Sequence, residues 1–338
     1  MAFSSALGGA FLFGEGIHGW VNPSTGRYMD DLWLYDVNGH RWVALYPGTD
    51  TRSPPALLVT RDGFEGIAPD RPIPIATMVH GYEMTAWDPV RQLFFSMPNH
   101  HVYFRKHLPS VAAFRRQNAQ RLNTTAASPW IFDPWNRKWH RLKTATPSPA
   151  SGFGDVLMFL PSRNKLFFYR LGRVSFYDPQ NNSWRQVSTR GPLPPFGIDP
   201  TACHDPRRDR IYIGGGYYPV AKGDNGLWIY DVKTDTWLDP KPAGSPAGNH
   251  FGTNMAVMTC DPRTDSVYLF RRKGGAPGLY IYDAKKNAWR PRPVPLPDFW
   301  NKRMVANGFY HPALGVHFIH TANDSRDNGR IIVYRPDR

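Results

Sequence analysis

Apolar residues along this chain alternate with polar ones in short runs, and each run ends in a turn signal. DLWLYDVNGHRWVAL (31–45), PWIFDPWNRKWHRL (129–142), VSFYDPQNNSWRQV (174–187), LWIYDVKTDTWLDP (227–240) and LYIYDAKKNAWRPR (279–292) share one layout. In each an Asp precedes a Trp at the same spacing: Asp36 and Trp42, Asp133 and Trp139, Asp178 and Trp184, Asp231 and Trp237, Asp283 and Trp289. The pattern predicts a hairpin, with an aromatic and aliphatic strand, a polar turn opened by the Asp, and a second strand opened by the Trp. A second pattern lies upstream of most copies, in MTAWDPVRQLFFSM, TACHDPRRDRIYIGGG, VMTCDPRTDSVYLFRR and GFYHPALGVHFIHTA. It reads as an apolar strand, a turn and another apolar strand, so each repeat holds four strands.

This repeat resembles the kelch-repeat β-propeller family, and the resemblance covers nearly the whole chain. It implies an all-β fold, one domain over residues 1–338, with four-stranded blades around an axis and the first strand of each innermost. The Tyr-Asp positions fall at Tyr35, Phe132, Tyr177, Tyr230, Tyr282 and, in degraded form, Tyr334. Six blades are readable. The interval from Tyr35 to Phe132 is about twice the others and leaves room for an insertion or a seventh blade. An insertion over 103–127 is the preferred reading. Residues 108–122 predict a short basic helix with Ser110 as N-cap, between the second and third strands of the second blade. The C-terminus supplies three strands and the N-terminus lacks a clear innermost one, so the ring is expected to close by pairing its ends.

Composition narrows the classes. With 30 Gly and 33 Pro in 338 residues, long helices have no room. The 12 Trp and 14% aromatic content supply a core, against disorder. No apolar run is long enough for a membrane helix. The start lacks the basic region of a secretory leader, and the expectation is a secreted or periplasmic protein whose leader has been removed. Forty-one Lys and Arg against 27 Asp and Glu give a net charge of +14, which favours polyanionic partners. No nucleic-acid motif appears and the arginines are dispersed, so nucleic acid ranks last among them.

In a four-stranded blade the start of strand one, the end of strand two and the start of strand three share one end of the propeller. The Asp turns lie at the other end and are read as structural caps. At the first end stand His80, His100, His101, Tyr169, Arg170, Arg173, Tyr217, Tyr218, His250, Arg271, Arg303 and His320. A ring of His, Arg and Tyr there would attract carboxylate or sulfate groups. His317, on an alternating strand, is read as packed.

Two function classes follow. The pair His80 and His100 resembles the histidine pair of propeller-type polysaccharide lyases such as the ulvan lyases, and Arg170 matches their arginine in topological place. That resemblance implies β-elimination on a uronic-acid polysaccharide: a donor neutralises the carboxylate, a base takes the C5 proton and an acid protonates the leaving oxygen. The family tyrosine does not carry over cleanly, and Tyr169 or Tyr217 stands in for it. The second class is a non-catalytic propeller that holds an anionic glycan or a protein. His101, Arg173, Tyr217, Tyr218, His250, Arg271, Arg303 and His320 would contact substrate in either case. A monomer is expected. No G-x-S-x-G elbow supports a serine triad. No cofactor is required, and a structural zinc or calcium is a lesser alternative. For zinc the candidates are Cys203, His204 and Cys260, but His204, not Cys203, aligns with Cys260. Alternation then points the two sulfurs to opposite faces, and two buried thiols are expected.

Overall fold

The computed structural model describes residues 1–14, 21–22, 27–28, 30–50, 55–74, 83–97, 109–122, 128–152, 155–195, 200–214, 226–246, 256–271, 278–294, 304–322 and 330–336. Six antiparallel sheets follow one another along them. The first is built from Ala2–Ser4, Gly9–Phe13, Leu32–Asp36 and Arg41–Tyr46, and the second from Thr85–Asp88, Leu93–Ser96, Trp130–Asp133 and Lys138–Arg141. The third comprises Val156–Leu160, Lys165–Arg170, Arg173–Asp178 and Ser183–Val187, and the fourth Thr201–Asp205, Arg210–Gly214, Leu227–Asp231 and Thr236–Leu238. The fifth is Ala256–Asp261, Ser266–Arg271, Leu279–Asp283 and Ala288–Pro291. The sixth has three strands, Met304–His311, Val316–Ala322 and Arg330–Tyr334. Each first strand contacts the first strand of the next sheet, and that of the sixth contacts that of the first. The arrangement is propeller-like.

The turn assignments hold. Asp133 Oδ1 accepts from the backbone N–H of Trp135 and Asn136 at 2.9 and 3.1 Å, and Asp36, Asp178 and Asp283 cap their turns in the same way. Asp231 accepts from Thr234 N at 3.2 Å. These bonds satisfy backbone donors that the tight turn strips of partners. Each hairpin also carries one residue in the left-handed region: His40, Arg137, Asn182, Asp235 and Asn287. In four sheets the Tyr before the capping Asp reaches it with its hydroxyl, as Tyr177 does to Asn182 at 2.8 Å.

The turns between first and second strands interlock. Arg91 of the second sheet donates to Asn164 of the third, and Ser162 of the third donates to Asp209 of the fourth. Arg208 of the fourth donates to Asp265 of the fifth, and Arg263 of the fifth to the Gly315 carbonyl of the sixth. All four acceptors sit at positive φ, where the carbonyl or short polar side chain of a turn turns outward.

Four expectations are revised. Ala2–Ser4 does supply an innermost strand to the first sheet; three small or singly aromatic residues gave it no readable pattern. The first and last sheets meet by their faces and not by strand exchange among the described residues: Phe3 stacks on Phe309 at 5.2 Å, and Ala10, Tyr35 and Val37 pack with Val316 and Phe318. The helix runs Pro109–Gln117, between the second and third strands of the second sheet, and Ser110 lies inside it. Proline opens the helix, since its missing N–H falls where no intrahelical bond forms. The long interval also holds a small sheet, Leu58–Val59, Glu65–Ala68 and Arg71–Pro72, which lies against Lys138–Arg141. Glu65 ties it down by pairing with Arg115 of the helix and, at 3.3 Å, with Arg141, whose guanidinium lies over Phe64 and Trp130. Burial alone would raise the Glu65 carboxyl; the two guanidinium groups outweigh it and hold it below its ordinary range.

The fourth revision concerns the cysteines, which form a disulfide with Cα atoms 5.8 Å apart. Their opposite parity is correct, yet it brings the sulfurs together. Sheets stack face to face, so a residue on the trailing face of one meets a residue on the leading face of the next. Cys203 packs with Ala256, Met258 and Cys260 of the fifth sheet, while its neighbour Ala202 faces the third.

The bridge closes a sequence separation of 57 residues and joins two innermost strands. Reducing it, or replacing both cysteines by serine, is expected to cost about 2–4 kcal/mol. Urea unfolding with and without reductant measures this, and the double variant should be insensitive to reductant.

Candidate functional site

An axial cavity of about 510 Å³ is lined by residues of all six innermost strands. Pro89, Pro161, Pro206, Pro262 and Pro312 ring its turn end, each just after the strand it terminates. Its wall is mainly apolar, with Trp87, Met158, Met258 and Phe309, and carries Glu83, Thr85, His204, Thr259 and Tyr310 as polar groups. Glu83 was not among the sequence candidates. Its signal was weak, an acid standing directly before an apolar strand. Burial pushes the Glu83 carboxyl upward, against hydrogen bonds from Thr201 and Ala202.

None of the described sequence candidates of the cationic ring lines this cavity. The cavity is walled by first strands, whereas these candidates stand on second and third strands. Phe13, Tyr169, Gly214, Phe270 and His320 hold one register position, fixed by the pairs Ala10 with Tyr35, Leu166 with Tyr177, Ile211 with Tyr230, Val267 with Tyr282 and His317 with Tyr334. The side chains there lie between sheets. Phe13 packs on Trp139 at 4.9 Å, Tyr169 edge-on to Trp237 at 5.3 Å, Phe270 on Tyr334 at 5.7 Å and His320 edge-on to Trp42 at 5.6 Å. Each partner belongs to the next sheet, and the first belongs to the sixth in turn.

Tyr169, expected as a catalytic acid, is 1% exposed against the outermost strand of the fourth sheet, and burial drives its hydroxyl well above the ordinary tyrosine range. His320, expected at a substrate contact, is 2% exposed and packs in the seam between the sixth and first sheets. Arg170 and Arg271 follow at the next position of their strands. Arg170 Nη1 donates to Asp155 Oδ2 at 2.9 Å, and Gly152 N donates to the same oxygen at 2.7 Å. A Cβ at Gly152 would overlap the guanidinium. Burial raises the Asp155 carboxyl to about 6 against the pull of Arg170. Arg271 is buried, and that burial lowers its guanidinium. Arg173, exposed, starts the third strand opposite Arg170. His80, His100, His101, Tyr217, Tyr218, His250 and Arg303 lie outside the described residues.

The zinc candidates are corrected as a set. Cys203 and Cys260 are bonded to each other, and His204 Nε2 lies 3.1 Å from Asp209 Oδ1 as part of a turn. Burial lowers the His204 pKa, against the pull of Asp209. Among the described residues no group of three or more His, Cys, Asp or Glu is placed to hold a metal ion. No helix among them is long and apolar enough to cross a membrane. The sequence matches no family model and no curated protein.

His317 fits the packed reading. It is fully buried, its Nδ1 lies 2.8 Å from Thr259 Oγ1, and its ring lies 4.2 Å from that of Tyr268. Burial depresses its pKa to about 3, with Asp261 opposing and Arg263 assisting. The folded state thus binds the proton less well than the unfolded chain does. Its contribution is complete above the unfolded value of about 6.5 and is lost as pH falls toward 3. Wild type should lose stability across that window more steeply than His317→Phe, as read by urea midpoints at a series of pH values.

Proposed function

We propose that this protein is a six-bladed, kelch-type propeller that works outside the cytoplasm and binds an anionic, uronic-acid-bearing polysaccharide without cleaving it. The observation that carries the reading is the distribution of charge. Carboxylates gather at the turn end, where they cap turns or pair with basic side chains, as Asp88 does with Arg91, Asp205 and Asp265 with Arg208, Asp261 with Arg263 and Asp178 with Lys165. Others are buried, among them Asp30, Asp31, Glu65 and Asp155. The net charge of +14 leaves basic side chains beyond those pairs, and among them Arg173, Arg185 and Arg290 are exposed on strands. A chain of carboxylates meets such a surface through many weak, charge-assisted contacts. The disulfide supports an oxidising compartment.

Elimination is the second reading, and it rests on His80 and His100. It loses Tyr169, which is packed between sheets, and its Arg170 is already committed to Asp155.

Alginate, polygalacturonate and ulvan should each retard the protein in affinity electrophoresis, and neutral dextran should not. Affinity should fall at least about tenfold as the screening length shrinks from ~10 Å at 0.1 M salt to ~3 Å at 1 M. Equal retention by dextran would overturn the proposal. Ultraviolet absorbance from an unsaturated product, lost in His80→Ala, would replace it with the elimination reading.

A further inference from the structure

The hairpin that joins third and fourth strands is built alike in five sheets, and its third position differs in one of them. Counting the capping Asp as first, that position holds Asn38, Gln180, Lys233 and Lys285 in four sheets, each exposed and polar. The second sheet holds Trp135 there, 61% exposed. Of the large hydrophobic side chains exposed among the described residues, Trp135 alone is aromatic. Its backbone N–H donates to Asp133 Oδ1 at 2.9 Å, and no described aromatic ring or hydrogen-bond acceptor meets its indole. The charges around it differ in the same sense. In the other four hairpins a basic side chain lies on the capping carboxylate: Arg41 on Asp36 at 3.1 Å, Lys165 on Asp178 at 3.0 Å, Arg210 on Asp231 at 3.2 Å and Lys286 on Asp283 at 3.9 Å. In the second sheet Asp133 Oδ2 instead accepts from Asn136 Nδ2 at 2.7 Å. Arg137 and Lys138, both exposed, then have no carboxylate partner among the described residues. A polar residue holds the same turn in four sheets, so the tryptophan serves something outside the fold.

We propose that Trp135, Arg137 and Lys138 form a subsite for one uronic-acid residue of a polysaccharide, with the indole stacked on the C–H face of the sugar ring and the two cations on its carboxylate. The subsite rests on the polyuronate reading and places that ligand at the turn end of the second sheet. A pyranose ring has an apolar face of C–H groups and a polar rim, which matches a flat indole bordered by charge. Arginine takes a carboxylate in a two-point fork, and lysine adds a second positive charge. The indole stands at the tip of a hairpin without enclosing walls, so it suits one residue of a long chain and not a small molecule held in a pocket. Single-stranded nucleic acid calls for a row of stacking rings, and the described surface exposes one.

Affinity electrophoresis of the full chain in polygalacturonate tests the subsite. Trp135→Phe should keep most of the retention and Trp135→Ala should weaken binding at least about fivefold, both with the wild-type urea midpoint because the ring is exposed. Trp135→Lys, which installs the residue type of the fourth and fifth hairpins, adds a charge and removes the ring; it should weaken binding as well. Arg137→Gln with Lys138→Gln should cost about tenfold, whereas Lys285→Gln with Lys286→Gln, which removes the same charge from the fifth hairpin, should change little. Trigalacturonate should shift the wild-type tryptophan emission to the blue, and Trp135→Phe should lose that shift. Retention of Trp135→Lys at or above the wild-type level, equal loss in the two double variants, or a blue shift that persists in Trp135→Phe would each overturn the subsite and leave the polyuronate reading in place. Absence of retention of the wild type would overturn both. Stronger retention by poly(dT) than by polygalacturonate would assign the indole to single-stranded nucleic acid and overturn the proposal.

Discussion

The structure depends on one constraint: each sheet must bury both of its faces, and only another sheet of the same kind can cover them. A four-stranded sheet with apolar residues on both sides cannot stand in water by itself. Stacked around an axis, each supplies the cover that its neighbour lacks. Phe13 against Trp139, Tyr169 against Trp237 and His320 against Trp42 are one contact repeated at three seams. Aromatic rings suit it because a wedge-shaped gap between twisted sheets is filled by large, flat, rigid groups at little cost in side-chain entropy. In the sixth sheet, where among the described residues no strand pairs with the outer side of the third, Phe270 meets Tyr334 and no described Trp packs there.

The second layer of organisation is polar and sits at the turns. Aspartates cap the hairpins, residues at positive φ shape them, and basic side chains hook each first turn to the next. Such bonds are individually worth about 1 kcal/mol. Their value is geometric, because they fix the angle at which successive sheets meet. The disulfide between Cys203 and Cys260 does the same covalently at the axis. Most of the acidic side chains among the described residues are thereby devoted to architecture.

That division also governs the functional reading. Arg170 with Asp155, Arg141 with Glu65 and His317 with Thr259 are held in place by partners and by burial. Groups so held position the backbone, and on the proposed reading a polysaccharide would meet exposed arginines such as Arg173 and Arg185 instead.

The chain itself specified the repeat. Constant Asp-to-Trp spacing, alternation and turn residues act over a few positions, so hairpins, their caps and the succession of sheets are legible from one strand to the next. The helix inside the second sheet and the packed state of His317 were legible for the same reason. What only the tertiary structure decided is which way a side chain points once sheets are stacked. Tyr169 and His320 were assigned to the correct end of their strands and to the wrong surroundings. Cys203 and Cys260 were assigned correct parity with the opposite consequence. Both follow from the same physics: alternation along a strand fixes a side chain's face, while the neighbour that covers that face is set by sheet twist and stacking between segments far apart in sequence.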